Sequence, residues 1–216
     1  MDAHRAGTGY LALPDGGSGP GVLVLHAWWG LTTQVKAVCD ALATEGFVAL
    51  APDLFDGRVA TEVAEAEEHL ALEDPNGLAH LTRASVRTLL DLPATTGAAA
   101  GLLGYSMGAS MALWLAARVP DAVAATVVYY GEQDIDMADA RSAFLGHYAE
   151  VDPYVDDDAL VLLEAELHLD GREVAFHRYP GTRHWFAEDD RPEHDPAAAA
   201  LAWDRTLGFL HRHLER

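Results

Sequence analysis

Residues 101–110 read GLLGYSMGAS, with Ser106 standing between Gly104 and Gly108. How this stretch is read decides the fold. Upstream, AAAGLL (98–103) is an apolar, strand-like run; downstream, SMALWLAARV (110–119) is apolar almost all round, as expected of a helix packed inside the molecule. Strand, G-x-S-x-G, helix is the setting in which a serine sits on a sharp, strained turn with its hydroxyl presented at the top of a sheet. Neighbouring backbone crowds the residues two before and two after it, so glycine fits at both. The alternative is a glycine-rich turn that holds a surface serine by chance; the flanking strand and helix favour the nucleophile. No charge occurs from Pro93 to Ala117, long enough for a membrane span. Its four glycines divide that run into a buried strand, a turn and a buried helix.

Working outward, GVLVLHAWWG (21–30) is a buried strand that runs into a loop. A helix is expected from Gln34 to Glu45, capped by Gly46, and then a strand in FVALAP, stopped at Pro52. Residues 61–92 read as helix, broken around EDPNG. AATVVYYG, SAFLGHYAE and REVAFHRYPG are further strands, with a helix in ALVLLEAELHLDG. The closing helix carries Trp203, Leu207, Leu210 and Leu214 as one apolar stripe. Strands alternating with helices predict a mostly parallel sheet covered on both faces, with working residues on loops at the carboxyl ends of the strands.

The chain has 216 residues, half of them hydrophobic, and no low-complexity linker or internal repeat, which predicts one compact domain. Its 34 acidic against 14 basic residues give a formal charge of −20. That charge repels a phosphate backbone and an anionic membrane alike, so neither nucleic acid nor membrane is an expected partner. The runs AEAEEH (64–69) and EDDRPEHD (188–195) read as solvated faces. Cys39, the only cysteine, reads as a packed core thiol. MDAHRAGTGY lacks the apolar segment of a signal peptide, so the cytoplasm is the expected compartment.

A serine nucleophile needs a base. Of 11 histidines, His184 in YPGTRHWF falls in the loop after the last strand, where its side chain can turn back over the sheet. His177 lies within that strand, and His168, His211 and His213 lie on helices; His4, His69, His80 and His194 have no motif around them. The base needs an acid to orient it. Asp152, after the penultimate strand, gives the chain order Ser, Asp, His; Asp134 and Glu132 are the reserves. Asp156 to Asp158 read as a helix N-terminus. The backbone amides of Met107 and Trp28 are the candidate oxyanion donors. Trp28, Trp29, Tyr105 and Trp185 are the expected pocket walls.

Taken together, GPGVLVLHAWWGL, LATEGFVALAPDLFDG, LLGYSMGAS, DPYV and HRYPGTRHWF resemble the dienelactone hydrolase family of α/β-hydrolases, from about Tyr10 to Leu214. The resemblance implies a single small α/β-hydrolase domain without a large lid. It maps the family's Cys, Asp and His onto Ser106, Asp152 and His184, with Trp28 and Met107 as oxyanion donors. Ser106 thus replaces the usual cysteine. Ala27 stands where dienelactone-cleaving members carry a glutamate, and Glu188 where they carry a substrate-binding arginine. An anionic lactone would then meet an acid, which points away from dienelactone.

The expectation is therefore a cofactor-independent hydrolase of small esters, lactones or thioesters, without a metal, acting through an acyl-enzyme on Ser106. A monomer or small homo-oligomer is expected. The rival is a hydrolase-like protein that only binds a small molecule. DPYVDDD lacks the glycine and terminal glutamate of a calcium loop, and no histidine pair has zinc spacing.

Overall fold

The computed structural model describes residues 9–215. His4 and all but the end of the segment weighed as a leader lie outside the described residues. In chain order the elements are β1 (Gly9–Ala12), β2 (Gly19–Leu25), α1 (Thr33–Thr44), β3 (Val48–Pro52), α2 (Val63–Ala71), α3 (Pro75–Asp91) and β4 (Thr95–Tyr105). Then follow α4 (Met107–Arg118), a 3₁₀ turn (Pro120–Ala122), β5 (Val123–Tyr129), β6 (Ala143–Val151), α5 (Asp157–Leu169), β7 (Val174–Arg183) and α6 (Pro196–Leu214).

The seven strands form one sheet in the order β1-β3-β2-β4-β5-β6-β7. All neighbours pair in parallel except β1, which runs antiparallel to β3. Among the described residues helices cover both faces and no large lid is present, so the architecture is that of an α/β-hydrolase. The chain steps from β2 to β3 and then back past β2 to β4. That reversal leaves a crevice at the carboxyl ends of β2 and β4, where α/β sheets place their ligands.

Local chemistry sets these elements. From Gly21 to Leu25 every residue of β2 is buried, because helices cover both faces and the strand reads as a run rather than an alternation. Thr32 caps α1 through its side chain, and Gly46 leaves the helix at φ +93°. The break at EDPNG is the entry to α3: the Asp74 carboxylate accepts from the amides of Asn76 and Gly77, and Pro75 fits the first turn. Asp156 caps α5 in the same way. The uncharged run from Pro93 becomes β4, a turn and α4, and no described helix is long and apolar enough to cross a membrane.

Two apolar clusters follow the two faces. One joins the sheet to α1 and α6, the other joins it to α3, α4 and α5. Two details differ from the sequence reading. Strand β1 went unread, because four residues with half of them exposed at a sheet edge carry too short an alternation. The inward face of α6 is Ala202, Thr206, Phe209 and Leu210, with Trp203, Leu207 and Leu214 only half-buried beside it. The stripe is rotated because Thr206, though polar, is fully buried and hydrogen-bonded to Tyr129 and His147.

Cys39 is fully buried in α1, and burial, with Asp40 beside it, pushes its thiol up to about 12. A thiolate is the reactive form. The folded protein is therefore expected to resist an aromatic disulfide reagent at pH 8, and to release one equivalent of chromophore once unfolded in guanidinium. Rapid reaction of the folded protein would contradict this packing.

Candidate active site

The chain turns from β4 into α4 at Ser106, whose backbone sits at φ 50° and ψ −114°. Few non-glycine residues adopt such a conformation. It is held by the Ser106 amide, which donates to Tyr129 O at 2.9 Å, and by the Ser106 carbonyl, which accepts from the amides of Ala109 and Ser110. The flanking glycines are required by contact: a Cβ on Gly104 would lie 2.3 Å from Gly108 O, and one on Gly108 would lie 2.2 Å from Leu25 O.

Three side chains converge above this turn. Ser106 Oγ lies 2.9 Å from His184 Nε2, and His184 Nδ1 lies 2.7 and 2.8 Å from the two Asp152 oxygens. Asp152 leaves the end of β6, and its Oδ1 also accepts from the Tyr154 amide at 2.9 Å. His184 follows the last residue of β7, and the His184 and Asp152 side chains are 3% and 5% exposed. A carboxylate can only accept, so the imidazole proton belongs on Nδ1 and the Nε2 lone pair faces the serine hydroxyl. The reserve acids lie elsewhere. Asp134 is exposed, and Glu132 offers its backbone carbonyl to Ser110 Oγ.

Met107 is the first residue of α4, so its amide is among those that lack an acceptor within the helix. Trp28 occupies the turn after β2, beside a fixed histidine. His26 is fully buried: its Nε2 accepts from the Leu54 amide and its Nδ1 donates to Ala27 O, and burial lowers its pKa, so the ring is neutral. It ties the Trp28 turn to the loop after β3.

Aromatic rings surround His184. Trp28 and Trp29 meet Trp185 at 6.1 and 5.1 Å between centroids, and Tyr130 and Tyr154 each lie 4.8 Å from the imidazole. Tyr154, absent from the expected walls, bridges Trp28, His184 and Trp185 while half exposed. Its only sequence signal was its place two residues after Asp152. Tyr105, among the expected walls, is buried in the core on the α1 and α6 face and stacks on Tyr129. Trp29 is buried too, with the Arg191 guanidinium 4.2 Å above its ring.

Glu188 is a correction: it is not part of the solvated face that the run EDDRPEHD suggests. It is 3% exposed and accepts a hydrogen bond from Tyr130 Oη at 2.8 Å. Burial is the main cause that pushes its carboxyl up to about 8.

Beside the turn, a cavity of about 420 Å³ runs along α4, lined by Met107, Met111 and Trp114 on one side and Leu78 and Ala79 of α3 on the other. This lies within the range of small-molecule sites. Trp28 packs against the same cluster through Leu54, Phe55 and Leu78.

Three comparisons bear on this arrangement. The sequence model of the dienelactone hydrolase family matches residues 8–214. Protein usf of Aquifex pyrophilus is 32% identical over 95% of this chain and 93% of its own. Carboxymethylenebutenolidase 1 of Cupriavidus pinatubonensis is 29% identical over 93% of this chain and 89% of its own. Among solved structures, a dienelactone hydrolase-like promiscuous phosphotriesterase from metagenomic libraries superposes with a TM-score of 0.83 at 23% identity, covering 95% of this chain and 92% of that one, a likeness of fold.

The glycine contacts make a testable contrast. Gly108→Ala is expected to destabilise the protein by at least about 1–3 kcal/mol through overpacking against β2. Gly208→Ala, on the exposed side of α6 with open space around it, is expected to stabilise it by about 0.5–1 kcal/mol. Chemical denaturation of both variants checks the pair, and equal effects would refute the crowding.

Proposed function

The chain belongs to the dienelactone hydrolase family, and on that premise we propose that it is a serine hydrolase of small, uncharged carboxylic esters, with lactones and thioesters open to the same chemistry. The observation that carries this reading is the unbroken hydrogen-bond chain from Ser106 Oγ through His184 to Asp152.

In the proposed mechanism His184 Nε2 takes the hydroxyl proton as Ser106 Oγ attacks the acyl carbon. Asp152 stabilises the imidazolium that forms. The amides of Trp28 and Met107 receive the charge on the tetrahedral oxygen; losing one such donor typically costs about 10² to 10³ in turnover. The imidazolium then protonates the leaving alcohol. Water, deprotonated by the same nitrogen, attacks the acyl-enzyme and frees the acid and Ser106.

The cavity along α4 supports an uncharged substrate arm. Its polar side chains are largely committed elsewhere: Ser110 Oγ donates to Glu132 O, Thr82 Oγ1 donates to Leu78 O, and Glu73 pairs with Arg58. An apolar alkyl or aryl group loses nothing there, whereas a carboxylate would be stripped of water against an apolar wall. The preference against anions thus rests on that wall.

Two outcomes are expected. Ser106→Ala lowers kcat/KM for an aryl ester by about 10³ or more, and a fluorophosphonate labels Ser106 alone, read by peptide mass mapping. Unchanged turnover, or labelling elsewhere, would sink the mechanism. Neutral acyl esters are hydrolysed about tenfold or more faster, in kcat/KM, than analogues that end in a carboxylate. Equal rates would remove the argument from the cavity.

A further inference from the structure

Glu188 is a buried acid that the proposed reaction does not use, four residues after the histidine that it does. Its carboxyl accepts from Tyr130 Oη at 2.8 Å, and the Tyr130 ring lies 4.8 Å from the His184 imidazole and 5.5 Å from Phe186. Tyr130 follows the last residue of β5 with a positive φ of 41°, and its amide donates to His147 O. A tyrosine in that conformation must be held there by its surroundings. On its other side Glu188 closes the turn that carries His184. Its amide donates to Trp185 O, Phe186 N–H donates to Arg183 O, and Trp185 itself has a φ of 68°.

From this packing we infer that Glu188 is a positioning residue: in its protonated form, acting through Tyr130, it holds the His184 ring in line with Ser106, and ionisation of Glu188 releases that alignment. The inference rests on the proposed role of His184 as the base.

The groups that bear on Glu188 are Tyr130 at the end of β5, Tyr105 at the end of β4, and Asp190, Arg191 and Glu193 on its own loop. The Tyr130 hydroxyl through its hydrogen bond and Arg191 through its charge favour the carboxylate, and the Arg191 guanidinium is drawn away over Trp29 and towards Asp190. Burial outweighs both and raises the carboxyl to about 8. Tyr130 is raised well above its ordinary value, so it stays protonated through the same range. Once ionised, Glu188 is a charge in an apolar turn, and the turn must open or rearrange to hydrate it. His184 moves with that turn.

Linkage fixes the sign. The folded state holds a proton that the unfolded chain releases near 4.3. Glu188 therefore contributes stability that is full below about pH 4, declines as pH rises, and is gone above about pH 8.

The test compares wild type with Glu188→Gln, whose amide carbonyl still accepts from Tyr130 without ionising, and Glu188→Leu, which cannot accept. Aryl-ester kcat and KM are measured from pH 6 to 10, with thermal unfolding followed from pH 4 to 9. Wild-type kcat is expected to fall several-fold above pH 8. Glu188→Gln keeps its pH 7 turnover across that limb and flattens stability between pH 4 and 8. Glu188→Leu loses about tenfold in kcat at every pH, with KM little changed. If the wild-type and Glu188→Gln kcat profiles superimpose above pH 8 while Ser106 still takes a phosphonate, the positioning role is wrong and the serine mechanism stands. If Ser106 takes no label, the reading of the site falls and this inference with it. Should Glu188→Leu fail to fold, the profile of Glu188→Gln decides alone.

Discussion

The structure depends on a close approach of backbone to backbone. β4 must end beside β2, α4 must begin immediately, and the Gly108 backbone must come against the Leu25 carbonyl for Ser106 to stand at φ 50°. Nothing larger than hydrogen fits at Gly104 or Gly108, so the turn exists only where those strands are neighbours. The parallel pairing of β2 with β4 and the return of the chain past β2 are thus conditions for the serine's conformation. The turn also brings the amide of Met107 and the loop after β2 to the same end of the sheet.

What could be read from the sequence follows how local each signal is. The turn, its strand and its helix occupy one contiguous stretch, and so Ser106 was legible. Asp152 and His184 were legible by their order and by strand-end placement, although 78 residues separate Ser106 from its hydrogen-bond partner. Tyr105 is next to Ser106 in the chain yet stacks on Tyr129 in the core, a placement that adjacency alone does not reveal. Tyr154 was missed because an aromatic residue in an irregular loop belongs to no periodicity. Glu188 was hidden in an acidic run, where composition gives each acid the same expectation and only packing separates a buried carboxyl from its solvated neighbours.

The surroundings of His184 combine polar and apolar restraint. Both ring nitrogens are committed, to Ser106 and Asp152, which fixes direction and proton. The faces are fixed by Tyr130, Tyr154 and Trp185, rings that exclude water and strengthen the two hydrogen bonds through a lower local dielectric. Among the described residues, the buried indole N–H groups of Trp28, Trp29 and Trp185 find no protein acceptor.

The buried threonine of α6 has a consequence of a different kind. Arg205 donates to Tyr179 Oη at 3.0 Å, Tyr179 lies 2.7 Å from His147 Nδ1, His147 Nε2 lies 3.0 Å from Thr206 Oγ1, and Thr206 lies 2.8 Å from Tyr129 Oη. Because the guanidinium can only donate, the tyrosine proton is directed to Nδ1, and a neutral His147 must then carry its own proton on Nε2. Burial keeps that imidazole uncharged. Apolar packing rewards contact area and is indifferent to small rotations of a helix; an ordered relay of protons is not. The final helix is keyed to β5, β6 and β7 in one angular setting, like a shaft held by a spline rather than by friction.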